Sequence, residues 1–128
     1  MNPLTIEWVE KAEGDYASAQ RERRARVRPN YDAACFHAQQ CVEKYLKAAL
    51  QEAGIPFGKT HDLESLLSLC LPTHPSWNAL RPDMAALTVY AVAFRYPGSS
   101  ATPVQATTAV QTTRKLRAGF RAALGLPL

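Results

Sequence analysis

Residues 30–54, NYDAACFHAQQCVEKYLKAALQEAG, decide the fold. At 100° per residue, Tyr31, Ala34, Cys35, Ala38, Cys41, Val42, Tyr45, Leu46 and Ala49 fall within roughly 140° of arc, the apolar stripe of a helix that packs on a core. Asn30 is a good N-cap and Gly54 a good residue just past a C-terminus, so the segment reads as one long helix. The opposite face is unusual. Phe36, His37, Gln40, Glu43, Lys44 and Lys47 share it, a mixture of donors, acceptors and one aromatic ring. It is either a solvated face carrying a Glu43–Lys47 pair at i, i+4 spacing or a surface that binds a ligand.

Working outward, a first helix is expected after Thr5 as N-cap, running to about Arg24 with Trp8, Val9, Ala12, Tyr16 and Ala19 on one side. On the other side of Gly54, GIPFGKTHD is a loop by its glycines and proline. Thr60 or Asp62 then caps a short helix, DLESLLSLCL, which Pro72 ends. LPTHPSWNALRP reads as an irregular connection, and a fourth helix is expected from about Pro82 to Phe94. Within its MAALTVYAVAF stretch, from Met84, only Thr88 and Tyr90 carry polar atoms. A helix apolar on nearly every side calls for cover from its own bundle and from a partner as well. After the loop RYPGSSA, Thr102, Pro103 and Gln105 form a capping box with a proline start. Ala106, Ala109, Thr113, Leu116, Phe120 and Leu124 make the core stripe of this last helix, Arg114, Arg117 and Arg121 line a flank, and Gly125 and Pro127 end it. No strand alternation appears, and the expected architecture is an all-α, antiparallel up-and-down four-helix bundle with an additional short helix.

The length of 128 residues suits a single domain, 1–128, and 47% hydrophobic against 20% charged residues is an ordinary globular composition. No apolar stretch reaches the roughly 20 residues of a membrane span. MNPLTIEWVEKAEGDY lacks the basic start and apolar run of a signal peptide, so the expected location is cytoplasmic. Cys35, Cys41 and Cys70 form no C-x-x-C unit and read as small core residues. The net charge of +4 is concentrated in RERRARVR, with arginines at 21, 23, 24, 26 and 28. That run either meets phosphates or an acidic partner, or is the solvated end of a helix stopped by Pro29. GIPFGKT ends like a phosphate loop but has three residues between its glycines where that motif has four. Asp62 and Glu64, two apart on a helix, face different ways, so neither a metal nor a cofactor is expected.

Three segments carry a resemblance: FHAQQCVEKYLKAAL (36–50), GIPFGKTHDLESLL (54–67) and FRYPG (94–98), with Asp15, Tyr16 and Ala19 of the first helix as a further match. In order and spacing they resemble the HEPN family of small prokaryotic helical bundles. The resemblance implies a usually dimeric up-and-down bundle, often encoded beside a minimal nucleotidyltransferase as a toxin–antitoxin-like pair. Many members are metal-independent ribonucleases that use an arginine followed, after four to six residues, by a histidine. The imidazole moves protons at the ribose 2′-hydroxyl or the leaving oxygen while the guanidinium holds the phosphate. Arg95 matches the arginine, but Ser100, Ala101 and Thr102 stand where the histidine belongs. His61, at a loop-to-helix junction, is the best substitute, ahead of His37 and His74.

Two functions fit these residues, beside a structural or adaptor bundle that takes no ligand. The first is a dimeric binding or regulatory module that pairs with a nucleotidyltransferase, or holds a nucleotide or RNA through His37, Gln40, Lys44, Lys47, Arg95 and Tyr96, without cutting RNA. The second is a ribonuclease toxin in which His61 and Arg95 are catalytic. Arg95 also has a plain alternative, satisfying the last carbonyls of its helix.

Overall fold

In the computed structural model, which describes residues 1–128, the decisive segment is the helix α2, Tyr31–Ala53. Asn30 accepts a hydrogen bond from the Ala33 amide at 2.9 Å, and Gly54 ends the helix at φ 70°, in the left-handed region that a residue with a Cβ avoids. α1 covers Pro3–Arg24 and therefore begins before Thr5. Asn2 is its cap, accepting from the Leu4 amide at 2.8 Å, and Pro3 suits the first turn because its missing N–H has no intrahelical partner there. Thr5 instead lies buried inside the helix and donates its hydroxyl to Glu52 at 3.0 Å.

The pairings between helices define the direction of each. Thr5 meets Glu52, Glu13 meets Tyr45 and Asp15 meets Lys44, so α1 and α2 are antiparallel. The connection from Gly54 to Asp62 doubles back along α2, bringing His61 to Gln39. α3, Leu63–Cys70, capped by Asp62, then runs with α2 until Cys70 reaches Leu46. α4, Arg81–Thr88, returns alongside α3, Arg81 against Ser68 and Thr88 against Leu63. α5, Pro103–Ala123, opens with the expected capping box and again follows α2, with Thr113 on Ala38 and Arg121 on Tyr45. α1, α2, α4 and α5 thus alternate in direction, and α3 is the additional short helix.

The core lies around α2. Tyr45, Leu46, Leu50, Leu63, Leu66, Leu67, Met84, Leu87 and Phe120 are buried, with small residues such as Ala12, Ala19, Ala34 and Ala38 where α2 meets α1 and α5. Cys35, Cys41 and Cys70 are buried free thiols; burial pushes Cys35 up to about 11 and Cys70 to about 12, so they stay protonated and inert. No helix is long and apolar enough to cross a membrane.

Two expectations on the C-terminal half need correction. Within LPTHPSWNALRP, Pro75–Leu80 forms a 3-10 helix whose Trp77 is buried, stacked on His74 at 4.0 Å and edge-on to Phe120 at 5.0 Å. The prolines forbid a long α-helix there but not a tight turn that carries an aromatic into the core. α4 stops at Thr88 and does not reach Phe94; Val89–Ala91 is a 3-10 turn followed by irregular chain. Thr88, Val89, Tyr90 and Val92 are β-branched or aromatic, all weak helix formers, and the Thr88 hydroxyl is engaged by the Leu63 amide at 3.1 Å.

Leu46, fully buried at the centre of this packing, should cost about 2–5 kcal/mol on truncation to Ala, against about 1 kcal/mol for Thr102→Ala at the α5 cap. Urea denaturation of the two variants measures both. Equal losses would mean that α2 is not the centre of the core.

Candidate ligand cleft and the polar networks of the central helix

Because α2 is surrounded, the centre of its polar face is covered by protein. Glu43 is 2% exposed and Lys47 6%, values that require partners for both charges. Lys47 Nζ donates to Glu43 Oε2 at 3.0 Å and stands 5.5 Å above the Trp8 ring of α1. Glu43 Oε1 accepts from Gln39 Nε2 at 3.2 Å and from Gln40 Nε2 at 3.3 Å, and lies 2.8 Å from His61 Nδ1. Burial alone would raise the Glu43 pKa, but the hydrogen bonds from His61, Lys47 and Gln39 outweigh it and hold the carboxyl below the usual glutamate value. The expected i, i+4 pair therefore exists, as part of a closed network and not of a wet surface.

A second carboxylate joins α1 to α2. Asp15 Oδ1 lies 2.7 Å from His37 Nδ1, and Asp15 Oδ2 accepts from Lys44 Nζ at 2.5 Å. A third, Glu13, receives both nitrogens of an Arg117 fork, Nε at 2.7 Å and Nη2 at 2.6 Å, together with the Tyr45 hydroxyl at 2.5 Å. Arg121 donates to that same hydroxyl at 3.0 Å. Two of the three arginines expected along the flank of α5 are thus engaged in holding α1, and Arg114 is exposed. Burial raises the Glu13 pKa, and the hydrogen bonds from Arg117 and Tyr45 reverse this and lower it.

Arg95 sits elsewhere. It lines an open cleft of about 370 Å3 together with Asn30, Asp32, Phe36, Tyr90 and Phe94. Tyr90 and Phe94 are stacked with ring centres 5.8 Å apart. Asp32 is tied down by the Ala101 amide at 2.6 Å, which pins the chain after Arg95 to the start of α2. The Arg95 side chain has no ion pair or hydrogen bond within the chain, and it lies past the end of α4 and the 3-10 turn, so it satisfies no helix-terminal carbonyls. Tyr96 is 76% exposed beside it.

The residues expected to act together are therefore divided. His37 and Lys44 serve Asp15, Gln40 and Lys47 serve Glu43, Arg95 lines the cleft, and Tyr96 is exposed outside its lining. His61 is exposed, with its Nδ1 on buried Glu43. Phe36, Gln40, Glu43 and Lys47 follow one stripe of α2, with Glu43 about 10 Å along the helix from Phe36, seven residues at 1.5 Å each, while the His61 carbonyl accepts from Gln39 and from Thr88, two residues before Tyr90. Sequence reasoning missed Asp32, Tyr90 and Phe94 as cleft residues. The i, i+4 spacing of the two rings was a usable signal, hidden by counting both toward an apolar helix. No group of three or more His, Cys, Asp or Glu side chains is placed to hold a metal ion.

Replacing Glu43 by Gln strands the buried Lys47 charge and should cost about 3 kcal/mol at pH 7, most of it restored by adding Lys47→Met. The folded-state pKa of Glu43 is depressed, so this stabilisation is complete above the unfolded value of about 4.3 and fades as pH falls through the lower folded value. Wild type and Glu43→Gln should converge in urea midpoint between pH 5 and the acid limit. Parallel curves would show that the Glu43 charge does not stabilise the fold.

No curated protein and no solved structure matches the chain. The family model described as HEPN domain does match, over residues 5–121, which takes in α1 through most of α5, all three polar networks and the Arg95 cleft. This chain belongs to the HEPN domain family.

Proposed function

We propose that this protein is a binding and regulatory HEPN module that takes a nucleotide or an RNA end at the Arg95 cleft. The observation that carries the reading is the composition of that cleft. Phe36, Tyr90 and Phe94 offer faces on which a base can stack, and Arg95, with no partner in the chain, offers a guanidinium fork that fits a phosphate in two places. No histidine lines it, which separates binding from the usual arginine–histidine cleavage chemistry.

Two further parts of the reading rest on different supports. Ala85, Ala86, Val89 and Val92 are exposed on α4 and the turn after it, Val89 at 52% and Val92 at 58%, an apolar face that suits a homodimer seam beside the cleft. The family resemblance supports a minimal nucleotidyltransferase as the protein partner in a cytoplasmic, toxin–antitoxin-like pair. A second reading, a metal-independent ribonuclease, is favoured by one feature: the His61 ring is 60% exposed while its Nδ1 is oriented by a carboxylate 3% exposed, the arrangement a proton-transfer imidazole needs. The absence of His61 from the residues that line the cleft counts against it.

Arg95→Ala should lower AMP affinity roughly tenfold or more, as loss of a charge-assisted pair does, while His61→Ala leaves it unchanged. The same three proteins, incubated with RNA in EDTA, should leave it intact. Cleavage by wild type that both variants lack would establish the ribonuclease reading instead. Val89→Asp should convert a dimer to a monomer in sedimentation at micromolar concentration, and a monomeric wild type would remove the seam.

A further inference from the structure

Five arginines at the end of α1 take no part in the polar networks of the bundle. Arg21, Arg24, Arg26 and Arg28 are exposed, and no carboxylate lies within ion-pair distance of any of the five. Arg21 reaches Ser18 at 3.3 Å, and Arg23 Nε is buried with no hydrogen-bond partner. Other cations of this chain behave differently: Lys44, Lys47, Arg117 and Arg121 are all matched to Asp15, Glu43 or Glu13. Single cations without an ion pair occur elsewhere, at Lys11, Lys59, Arg95 and Arg114, but only the Arg21–Arg28 segment gathers five of them.

Its position gives that charge a use. α1 ends at Arg24, and the following residues run to Asn30, which both caps α2 and lines the Arg95 cleft. Arg28 is two residues from Asn30, a span of at most about 7 Å between Cα atoms. It holds φ 50°, a left-handed conformation that costs a non-glycine residue about 1 kcal/mol or more. The arginine run therefore leads along the chain directly to the Asn30 wall of the cleft, whose lining also holds Arg95 and the rings of Phe36, Tyr90 and Phe94. Val27 is the one large apolar side chain in the run, so the patch lacks the apolar centre of a protein interface.

We propose that the Arg21–Arg28 segment is a second phosphate-binding surface that carries the backbone of a single-stranded RNA whose terminal nucleotide occupies the Arg95 cleft. The proposal rests on the cleft reading and extends it from a mononucleotide to a polynucleotide. The cleft supplies stacking and one phosphate contact, and the loop adds sequence-independent contacts whose strength comes from counterion release.

The test compares AMP with a short fluorescent 2′-O-methyl oligoadenylate, which lacks the 2′-hydroxyl needed for cleavage. Binding is measured by anisotropy and by AMP competition from about 50 to 200 mM salt. The variant Arg24→Ala/Arg26→Ala/Arg28→Ala changes exposed side chains, and its thermal midpoint should match wild type. It should bind the oligonucleotide at least about tenfold more weakly and flatten the slope of log K against log salt by about 2, at roughly 0.7 for each phosphate that is no longer neutralised. AMP affinity should not change, and lysines at the three positions should restore the slope.

An unaltered slope, or an equal loss for AMP and the oligonucleotide, overturns the proposal. Displacement of the RNA by polyglutamate at equal charge would reassign the surface to an acidic protein. Failure of AMP to bind, with Arg95→Ala silent toward the oligonucleotide, sinks the cleft reading by itself, because the triple variant's slope still decides the role of the loop. If wild type binds neither ligand, both ideas fall.

Discussion

A carboxylate buried in the middle of the central helix sets the terms for this fold. Glu43 is nearly inaccessible, and an ionised group there persists only if its oxygens are satisfied. Satisfying them recruits Lys47 from the next turn, Gln39 and Gln40 from the preceding one, and His61 from a segment 18 residues away. The last contact fixes the path of the connection from Gly54 to Asp62. With that path set, α3 starts beside Gln39 and runs along α2, which in turn dictates where α4 and the cleft residues after it can be.

Asp15 and Glu13 repeat the arrangement on the α1 side. Each sits on α1 and gathers donors from other helices, His37 and Lys44 for one, Tyr45, Arg117 and Arg121 for the other. Directional hydrogen bonds to a charged acceptor select one rotation and one register of α1, whereas small residues such as Ala12 and Ala38 would permit neighbouring ones. Apolar packing holds the bundle together and these three carboxylates specify how it is assembled.

The same matching of charges explains why the ends of the molecule look functional. Between the helices, the cations Lys44, Lys47, Arg117 and Arg121 are matched to anions; the arginine run of the α1–α2 turn and Arg95 are not. The Arg95 cleft is walled by the rings of Phe36, Tyr90 and Phe94, the last two also packed on the edge of the core. The histidine with an oriented ring, His61, belongs to the structural network instead.

Helix existence, the caps of α2 and α5 and the apolar stripes were legible in the sequence because they are local: Asn30 with Gly54, Thr102 with Gln105, and the spacing from Tyr31 to Ala49 depend on neighbours within a turn or two, whereas Thr5, expected to cap α1, is buried inside it against Glu52. The three FHAQQ, KTHDL and FRYPG segments likewise identified the family without any coordinates. What periodicity cannot report is how much of a helix is surrounded. A polar face with Glu43 and Lys47 reads the same whether water or protein covers it, so only the tertiary structure showed that His37, Gln40, Lys44 and Lys47 are spoken for and that Arg95 is free. The early end of α4 and the buried Trp77 are also long-range outcomes, decided by Thr88 meeting Leu63 and by Trp77 meeting Phe120, contacts between residues that are 25 and 43 positions apart in the chain.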